Sequence, residues 1–284
     1  MTRSFTVAAP HELIWVRGPD AVVFLDGLLS QSVASIAPGT VRRSLLLTPR
    51  GKLDAPLWLL GGERDVGVVV EAGFAQSTAA GLARFKIRVD ATVAVDERRL
   101  TEVWGSDAAD LAAAGTWEAS PAFAADLPLL NGPMRRVLTT AEVTVAAASE
   151  DEAEAVRIAM GEPRLGVDIG EDTIPQEAGL VAGAVDFDKG CYLGQELVAR
   201  IESRGRVNRQ LRGMRSLGPP LAAPSAVKQA GSEVGMATSA AIHPDLGGIA
   251  LGMLRREVEV GDEVELGAVP AVVTDLPIPP APHP

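Results

Sequence analysis

Apolar residues recur at helical spacing in the N-terminal part of the chain. After the Gly18-Pro19 loop, Asp20 is a candidate N-cap, and apolar residues follow at intervals of three and four: Ala21, Phe24, Leu25, Leu28 and Leu29. Caps and composition predict three more helices: from about residue 73 to 84, from Ser106 to Gly115, and from Ser149, which forms a capping box with Glu152, to about Gly161.

Alternation of apolar and polar residues predicts strands between and after these helices. Residues 44–48, 53–60 and 66–70 fit a three-stranded antiparallel meander. The longest alternating run, from Phe85 to Val95, predicts a half-buried strand. Beyond about residue 206 helical signals are absent, and short alternating runs punctuated by Gly and Pro predict a small antiparallel barrel or sandwich: 210–214, 233–239, 249–254, 263–266 and 271–276.

These elements predict an α+β protein with two domains. Helices inserted between groups of strands are typical of that class, and the length of 284 residues agrees with two domains. The expected boundaries are residues 1–205 for the α+β domain and 206–284 for the β-barrel domain. The proline-rich tail from 277 to 284 is expected to be extended or disordered.

Composition and charge exclude several classes of protein. No stretch is long and apolar enough to span a membrane and the N-terminus has no apolar signal block, so a cytoplasmic location without a membrane partner is expected. The net charge of −11 excludes a surface that binds nucleic acid as a whole. One cysteine and three scattered histidines exclude a disulfide framework and indicate no metal site.

One stretch, from 189 to 215, departs from the acidic average. It carries seven basic residues against Glu196 and Glu202, a net charge of +5: Lys189, Arg200, Arg204, Arg206, Arg209, Arg212 and Arg215. A field of this kind attracts a carboxylate, a phosphate or an RNA backbone. A solvated edge strand decorated with arginines is the alternative.

Cys191 lies at the start of this basic stretch. Lys189 is two residues away, where its ammonium could favour the thiolate, and Gly190 could leave the sulfur approachable. A lone cysteine is more often a small buried hydrophobe. The full sequence context changes that expectation.

The octapeptide KGCYLGQE at 189–196, followed by Ala199-Arg200 and Arg204-Gly205, resembles the signature of the YgfZ family. This family is a branch of the folate-binding superfamily that includes the glycine-cleavage T-protein (GcvT). The resemblance extends to Gly161-Glu162-Pro163-Arg164 and to Ile174-Pro175-Gln176-Glu177, and more loosely to the N-terminal segments.

The resemblance implies a fold, a cofactor and a role. The implied fold is two α/β, ferredoxin-like subdomains and a C-terminal antiparallel β-barrel around a central opening. The implied cofactor is tetrahydrofolate, or a one-carbon or polyglutamyl derivative. The implied role is assembly or repair of iron–sulfur enzymes, including tRNA-modifying ones, with those clients or assembly factors as partners and without a requirement for turnover.

The resemblance also implies the residues of the site. Lys189 and Cys191 are the functionally sensitive pair, and the ammonium could bind folate carboxylates while the thiolate attacks an electrophile or forms a mixed disulfide. Gln195 could donate and accept through its amide, and Tyr192 could stack on a pterin, although such aromatics are more often core. The full set of candidate folate-binding residues is Asp54, Arg164, Gln176, Glu177, Tyr192, Gln195 and Arg200.

The chain departs from the folate enzymes at two positions. Those enzymes carry a pterin-binding Glu in a segment that here reads Arg157-Ile158-Ala159-Met160-Gly161, and of the paired aspartates of the T-protein only Asp54 remains, beside Ala55. These changes disfavour an alternative function, folate-dependent aminomethyl transfer or demethylation. A second alternative is a docking module in which arginines 200 to 215 bind RNA or another polyanion.

Overall fold

The computed structural model describes residues 4–8, 10–106, 108, 124–131 and 134–280. The chain divides into two compact units. The first comprises residues 1–128, 133–147 and 181–199, and the second comprises 129–132, 148–180 and 200–284. The predicted α+β class is confirmed, because both units combine helices with antiparallel sheets. The boundary between residues 205 and 206 stays a prediction.

The first unit contains two antiparallel sheets. The five-stranded sheet has the order β3-β4-β5-β2-β6: β2 His11–Arg17, β3 Val41–Leu47, β4 Leu53–Gly61, β5 Asp65–Glu71 and β6 Thr92–Val95. The four-stranded sheet has the order β1-β7-β9-β8: β1 Phe5–Ala8, β7 Thr101–Gly105, β8 Ala124–Asp126 and β9 Arg135–Thr139. The predicted meander is confirmed as β3, β4 and β5.

Strand β2 is central to the five-stranded sheet, and the sequence analysis missed it. It pairs with β5 on one side and β6 on the other. Its residues 13–16 are all buried. A strand covered on both faces has no alternation to detect, and a short apolar run of this kind does not distinguish a strand from a helix.

Two helices predicted for the first unit are present: α1 Ala21–Asp26, which ends before Leu28 and Leu29 of the predicted apolar face, and α2 Ala75–Ala83. The proposed cap of α1 is wrong, because the Asp20 side chain makes no capping bond to the helix. Its carboxylate instead accepts from the backbone N–H of Asp90, 2.8 Å away. The predicted helix from Ser106 to Gly115 falls almost entirely outside the described residues.

The long strand predicted from Phe85 to Val95 is largely wrong, since only Thr92–Val95 is extended and paired. Phe85 and Ile87 are 40% and 77% exposed, so no layer covers the apolar face of the pattern. Arg88 adopts a positive φ of 56°, which no strand accommodates. The alternating pattern therefore led to the wrong prediction of a strand where the chain forms an exposed turn after α2.

The second unit is built on a closed antiparallel barrel with the strand order β10-β13-β12-β11-β14-β15. Five strands match the predicted runs and β11 was missed: β10 Arg209–Ser216, β11 Ser225–Gln229, β12 Ser232–His243, β13 Gly247–Arg255, β14 Glu263–Leu266 and β15 Val269–Thr274. Helix α3 Glu150–Met160 has the predicted capping box between Ser149 and Glu152. It ends at Gly161, whose φ of 72° is left-handed, as expected for a glycine C-cap. Helix α4, Gln195–Arg204, carries the end of the signature; its residues up to Ala199 belong to the first unit and those from Arg200 to the second.

The start of the C-terminal tail is packed, contrary to the expected loose end. Ile278 is 4% exposed and joins a core cluster with Ile158 and Ala159 of α3. Its backbone N–H donates to the carbonyl of Ala159 at 2.8 Å. Residues 281–284 lie outside the described part of the chain.

Candidate functional site

The signature loop, residues 189–194, is shaped by two glycines that contact each other. Gly194 has a φ of 77°, and a Cβ there would lie 2.4 Å from the carbonyl oxygen of Thr48. Gly51, with a φ of 75°, packs in the same way, since its Cβ would lie 2.7 Å from the carbonyl oxygen of Gly194. The turn between β3 and β4 therefore seats the signature loop at a distance that only glycine permits.

Lys189 is anchored inside the first unit by backbone oxygens. Its side chain is 3% exposed. Its Nζ donates to the carbonyls of Asp26 at 2.6 Å, Leu29 at 2.8 Å and Gln31 at 3.0 Å. The Asp26 carboxylate lies 3.5 Å from the same nitrogen. An ammonium has three N–H donors, so all of them are engaged.

The segment 26–34, which follows α1, is held by further buried bonds within the first unit. The Ser30 hydroxyl donates to the carbonyl of Ala184 at 2.6 Å and accepts from the backbone N–H of Leu45 at 2.8 Å. The backbone N–H of Asp186 donates to the Ser30 carbonyl at 3.0 Å. This segment therefore links β3 to the residues that lead into the signature.

Burial shifts two pKa values at this site in opposite directions. Desolvation lowers the pKa of Lys189, while Asp26 and Asp186 partly offset the effect by favouring the ammonium. Desolvation raises the pKa of Tyr192 to about 12. The Tyr192 ring lies 5.5 Å from Lys189 Nζ, within the range of a cation–π contact.

Cys191 is exposed, unlike its neighbours Lys189 and Tyr192. The expectation of an approachable sulfur at this position agrees with that exposure. The Gln195 amide oxygen accepts from the Tyr192 backbone N–H at 3.2 Å, which closes the loop against the start of α4. The arrangement therefore presents one thiol on a rigid loop. A folate carboxylate could bind the Lys189 ammonium only by displacing a carbonyl.

Asp54 belongs to the first unit as well. It is an exposed residue of β4, and its Oδ2 lies 3.6 Å from the position that a Cβ would take on Gly81 of α2. Ala55 beside it is 2% exposed. The structure thus places one carboxylate, and not a pair, at this part of the strand.

Four candidate residues belong to the second unit: Arg164, Gln176, Glu177 and Arg200. The Arg164 guanidinium donates to Glu154 at 2.5 Å. The Glu177 carboxylate accepts from the Ile174 backbone N–H at 3.1 Å and forms an ion pair with Arg209, also at 3.1 Å. Because Glu177 is 5% exposed, its oxygens are oriented inward. Arg200 is exposed on α4.

The position expected for a pterin acceptor is apolar. Ala159 is 2% exposed and packs among Ile158, Leu211 and Ile249 in the core of the second unit.

The arginines of the 189–215 stretch divide into two groups. Arg209, Arg212 and Arg215 bond within the unit, whereas Arg200, Arg204 and Arg206 are exposed.

A buried ionic network joins α3 to the barrel within the second unit. Arg157 donates to Asp168 at 2.7 Å, to Glu154 at 2.5 Å and to the Ser239 hydroxyl at 2.7 Å. The other oxygen of Asp168 accepts from the hydroxyls of Thr238 and Ser239. A groove of about 410 Å³ beside this network contains none of the predicted site residues.

The sequence analysis gave no role to Asp26 or Ser30. The signal was present, because a polar run interrupts an otherwise apolar segment just after α1. Ser30 and Gln31 are 0% and 7% exposed, which indicates polar side chains that form hydrogen bonds inside the protein.

Within the described residues no group of His, Cys, Asp and Glu could hold a metal ion, and no helix has the length and hydropathy of a membrane span.

No family model matches the chain. It is 27% identical over 236 residues to a Pyricularia oryzae protein named iron-sulfur cluster assembly factor IBA57 homolog, mitochondrial, covering 74% of this chain and 57% of that protein. The alignment thus spans little more than half of that relative. The chain is also 26% identical over 220 residues to the tRNA-modifying protein YgfZ of Sodalis glossinidius, covering 70% and 67%.

A solved structure matches nearly the whole chain. The glycine cleavage system aminomethyltransferase T from Bartonella henselae superposes with a TM-score of 0.83 at 23% identity, covering 98% of this chain and 87% of that one. At this identity the likeness establishes the fold.

Proposed function

We propose that the chain is a member of the YgfZ/IBA57 family, with the fold of the glycine-cleavage T-protein, and that it is an accessory factor for iron–sulfur enzymes. It would act in their assembly or repair, including that of enzymes that modify tRNA. The names of the two relatives support this role. Client enzymes or assembly factors would be its partners, and the role requires no turnover of its own.

The exposed thiol of Cys191 is the observation that carries this proposal. It lies on a loop fixed by Gly194 on one side and by the buried Lys189 on the other. A fixed, accessible thiol is suited to attack an electrophile or to exchange with a disulfide of a partner protein. We therefore assign the reactive role to Cys191.

Complementation tests this role. The wild-type chain, Cys191→Ser and a control, Glu196→Gln, are expressed in a bacterial strain that lacks its own relative. Glu196 is exposed on α4 close to the signature loop. We expect the wild type and the control to restore iron–sulfur enzyme activity and tRNA modification, and Cys191→Ser to fail. Failure of the wild type would contradict the function, and full activity of Cys191→Ser would contradict the role of the thiol.

Tetrahydrofolate binding is implied by the resemblance, but the described residues do not fit the pterin end. The acceptor position holds the buried Ala159, and the inward Glu177 carboxylate already bonds to Ile174 and Arg209. A pterin presents several N–H donors that need acceptors when buried. The proposed role of the chain therefore does not depend on folate.

A titration decides the folate question. Tetrahydrofolate, with and without a polyglutamate tail, is followed by calorimetry. We expect weak binding, because the acceptor for the pterin is missing. Tight binding by the wild-type chain would contradict this assessment.

The two alternative functions stay predictions with direct tests. Aminomethyl transfer would produce methylenetetrahydrofolate from an aminomethyl donor at saturating folate. RNA docking would use the exposed Arg200, Arg204 and Arg206. Its affinity would fall steeply with salt, since phosphate contacts release counterions.

A further inference from the structure

The way Lys189 is bound separates its role from that of Cys191. Three backbone carbonyls converge on its ammonium at 2.6 to 3.0 Å, and the carboxylate of Asp26 adds a negative charge at 3.5 Å. All three carbonyls come from the six residues 26–31. This cage of oxygens is formed by one short segment wrapped around a cation.

Among the described residues, the side-chain hydrogen bonds given for these three carbonyls involve no cation other than Lys189. The Asp26 carboxylate also accepts from the backbone N–H of Val33 at 2.7 Å and Ala34 at 3.4 Å, so it fixes the far end of the same segment. Without a central charge, the carbonyls of Asp26, Leu29 and Gln31 would point at one another. Their mutual repulsion would favour opening of the segment.

We propose that Lys189 is a positioning residue: a tethered cation around which residues 26–34 fold, with Asp26 as its counter-ion, so that the loop carrying Cys191 is held in place. The proposal rests on the function proposed above for its connection to Cys191. It assigns Lys189 no contact with an anionic ligand. It also gives Asp26 a role that the signature does not contain.

The decisive experiment is chemical rescue of Lys189→Ala with a free cation. Hydrogen exchange is measured at the amides of Val33, Leu45 and Asp186, which bond to the side chain of Asp26 or to Ser30. We expect exchange to accelerate at least about tenfold, since hydrogen bonds to a charged group are lost. Amides of the closed barrel serve as the internal control and should be unchanged.

Three salts distinguish a donor from mere charge. Ammonium and methylammonium carry N–H groups for the carbonyls and should slow exchange again, whereas tetramethylammonium at equal ionic strength should not. Exchange equal to that of the wild type, or equal rescue by tetramethylammonium, would overturn the proposal.

A second variant keeps the test decisive if Lys189→Ala does not fold. Asp26→Asn retains an oxygen for Val33 but removes the charge beside the ammonium, and it should accelerate exchange of the same amides about threefold. Unchanged exchange would then overturn the proposal. Because these measurements use the purified chain alone, their failure is distinguishable from a failure of complementation, which concerns the cellular role.

Discussion

Two buried cations of the molecule, one in each unit, are bound in different ways. Lys189 in the first unit is bound by three backbone carbonyls, with Asp26 at a longer distance. Arg157 in the second unit is bound mainly by side chains, the carboxylates of Glu154 and Asp168. Both side chains are less than one-tenth exposed.

The difference shows what each site requires of the sequence. Any residue supplies a carbonyl, so the Lys189 site depends mainly on backbone conformation, and Asp26 adds a side-chain charge beside the ammonium. Carboxylates come only from Asp and Glu, so the Arg157 site depends on residue identity. Substitutions that alter the backbone should therefore affect the Lys189 site, and substitutions that remove a carboxylate should affect the Arg157 site.

The largest expected effect is on the side-chain site. Asp168→Ala removes one of the two carboxylates that bind the buried Arg157 and should destabilise the protein by about 3 to 5 kcal/mol. Chemical denaturation measures the loss. Glu171→Ala, an exposed acid on the same loop, is the control and should unfold like the wild type. A small effect of Asp168→Ala would remove the contrast between the two sites.

A substitution that alters backbone conformation should instead destabilise the signature loop, which begins at Lys189. Gly194→Ala forces a left-handed alanine whose Cβ would lie 2.4 Å from the Thr48 oxygen, and we expect a loss of at least about 2 kcal/mol. Gly190→Ala is the matched control within the same loop, because nothing lies within 4 Å of its added Cβ. If thermal denaturation gave equal midpoints for the two variants, the loop would not depend on this close contact.

Acid should weaken the side-chain site. Burial raises the pKa of Glu154, but Arg157 and Arg164 outweigh it, so the pKa is below its usual value. A depressed pKa contributes stability that is present above the unfolded value and lost as the pH falls through the folded one. Glu154→Gln should therefore cost about 1 kcal/mol at neutral pH and nothing at low pH. A pH-independent difference in unfolding free energy would contradict this.

The smallest effect is a titration that reports on the surroundings of Lys189. Tyr192 is the only tyrosine of the chain, so phenolate absorbance follows it alone. Burial raises its pKa to about 12 in the folded protein, against about 10 in denaturant. Since the folded pKa is the higher one, this contribution to stability is complete below pH 10 and is lost as the pH rises towards 12. A native titration near 10 would show that the ring beside Lys189 is hydrated.

Local signals explain what was predictable. The capping box of α3 and the alternating runs of the barrel can be read within a few residues, and both are confirmed. Burial is a property of the whole fold, so β2 was missed and the 85–91 segment was misassigned. The partners of Arg157 show the same limit. Glu154 is one helical turn away and visible in the sequence, but Asp168 and Ser239 are 11 and 82 residues distant.

The Lys189 site was the hardest to predict, for a related reason. The signature identifies Lys189 and Cys191 as residues of interest but does not say what the ammonium contacts. Its acceptors are backbone carbonyls 158 to 163 residues away. Since every residue carries such a carbonyl, no residue type in the sequence indicates where the site is.

The packed start of the tail has a practical consequence for anyone who shortens or tags this protein. Ile278 fills a place in the core beside α3 and bonds to Ala159, so removing it would expose the apolar residues that it covers. A truncation intended to aid crystallisation should retain Ile278. A purification tag at this end is better joined beyond Ile278, with a spacer, than placed so that it replaces Ile278.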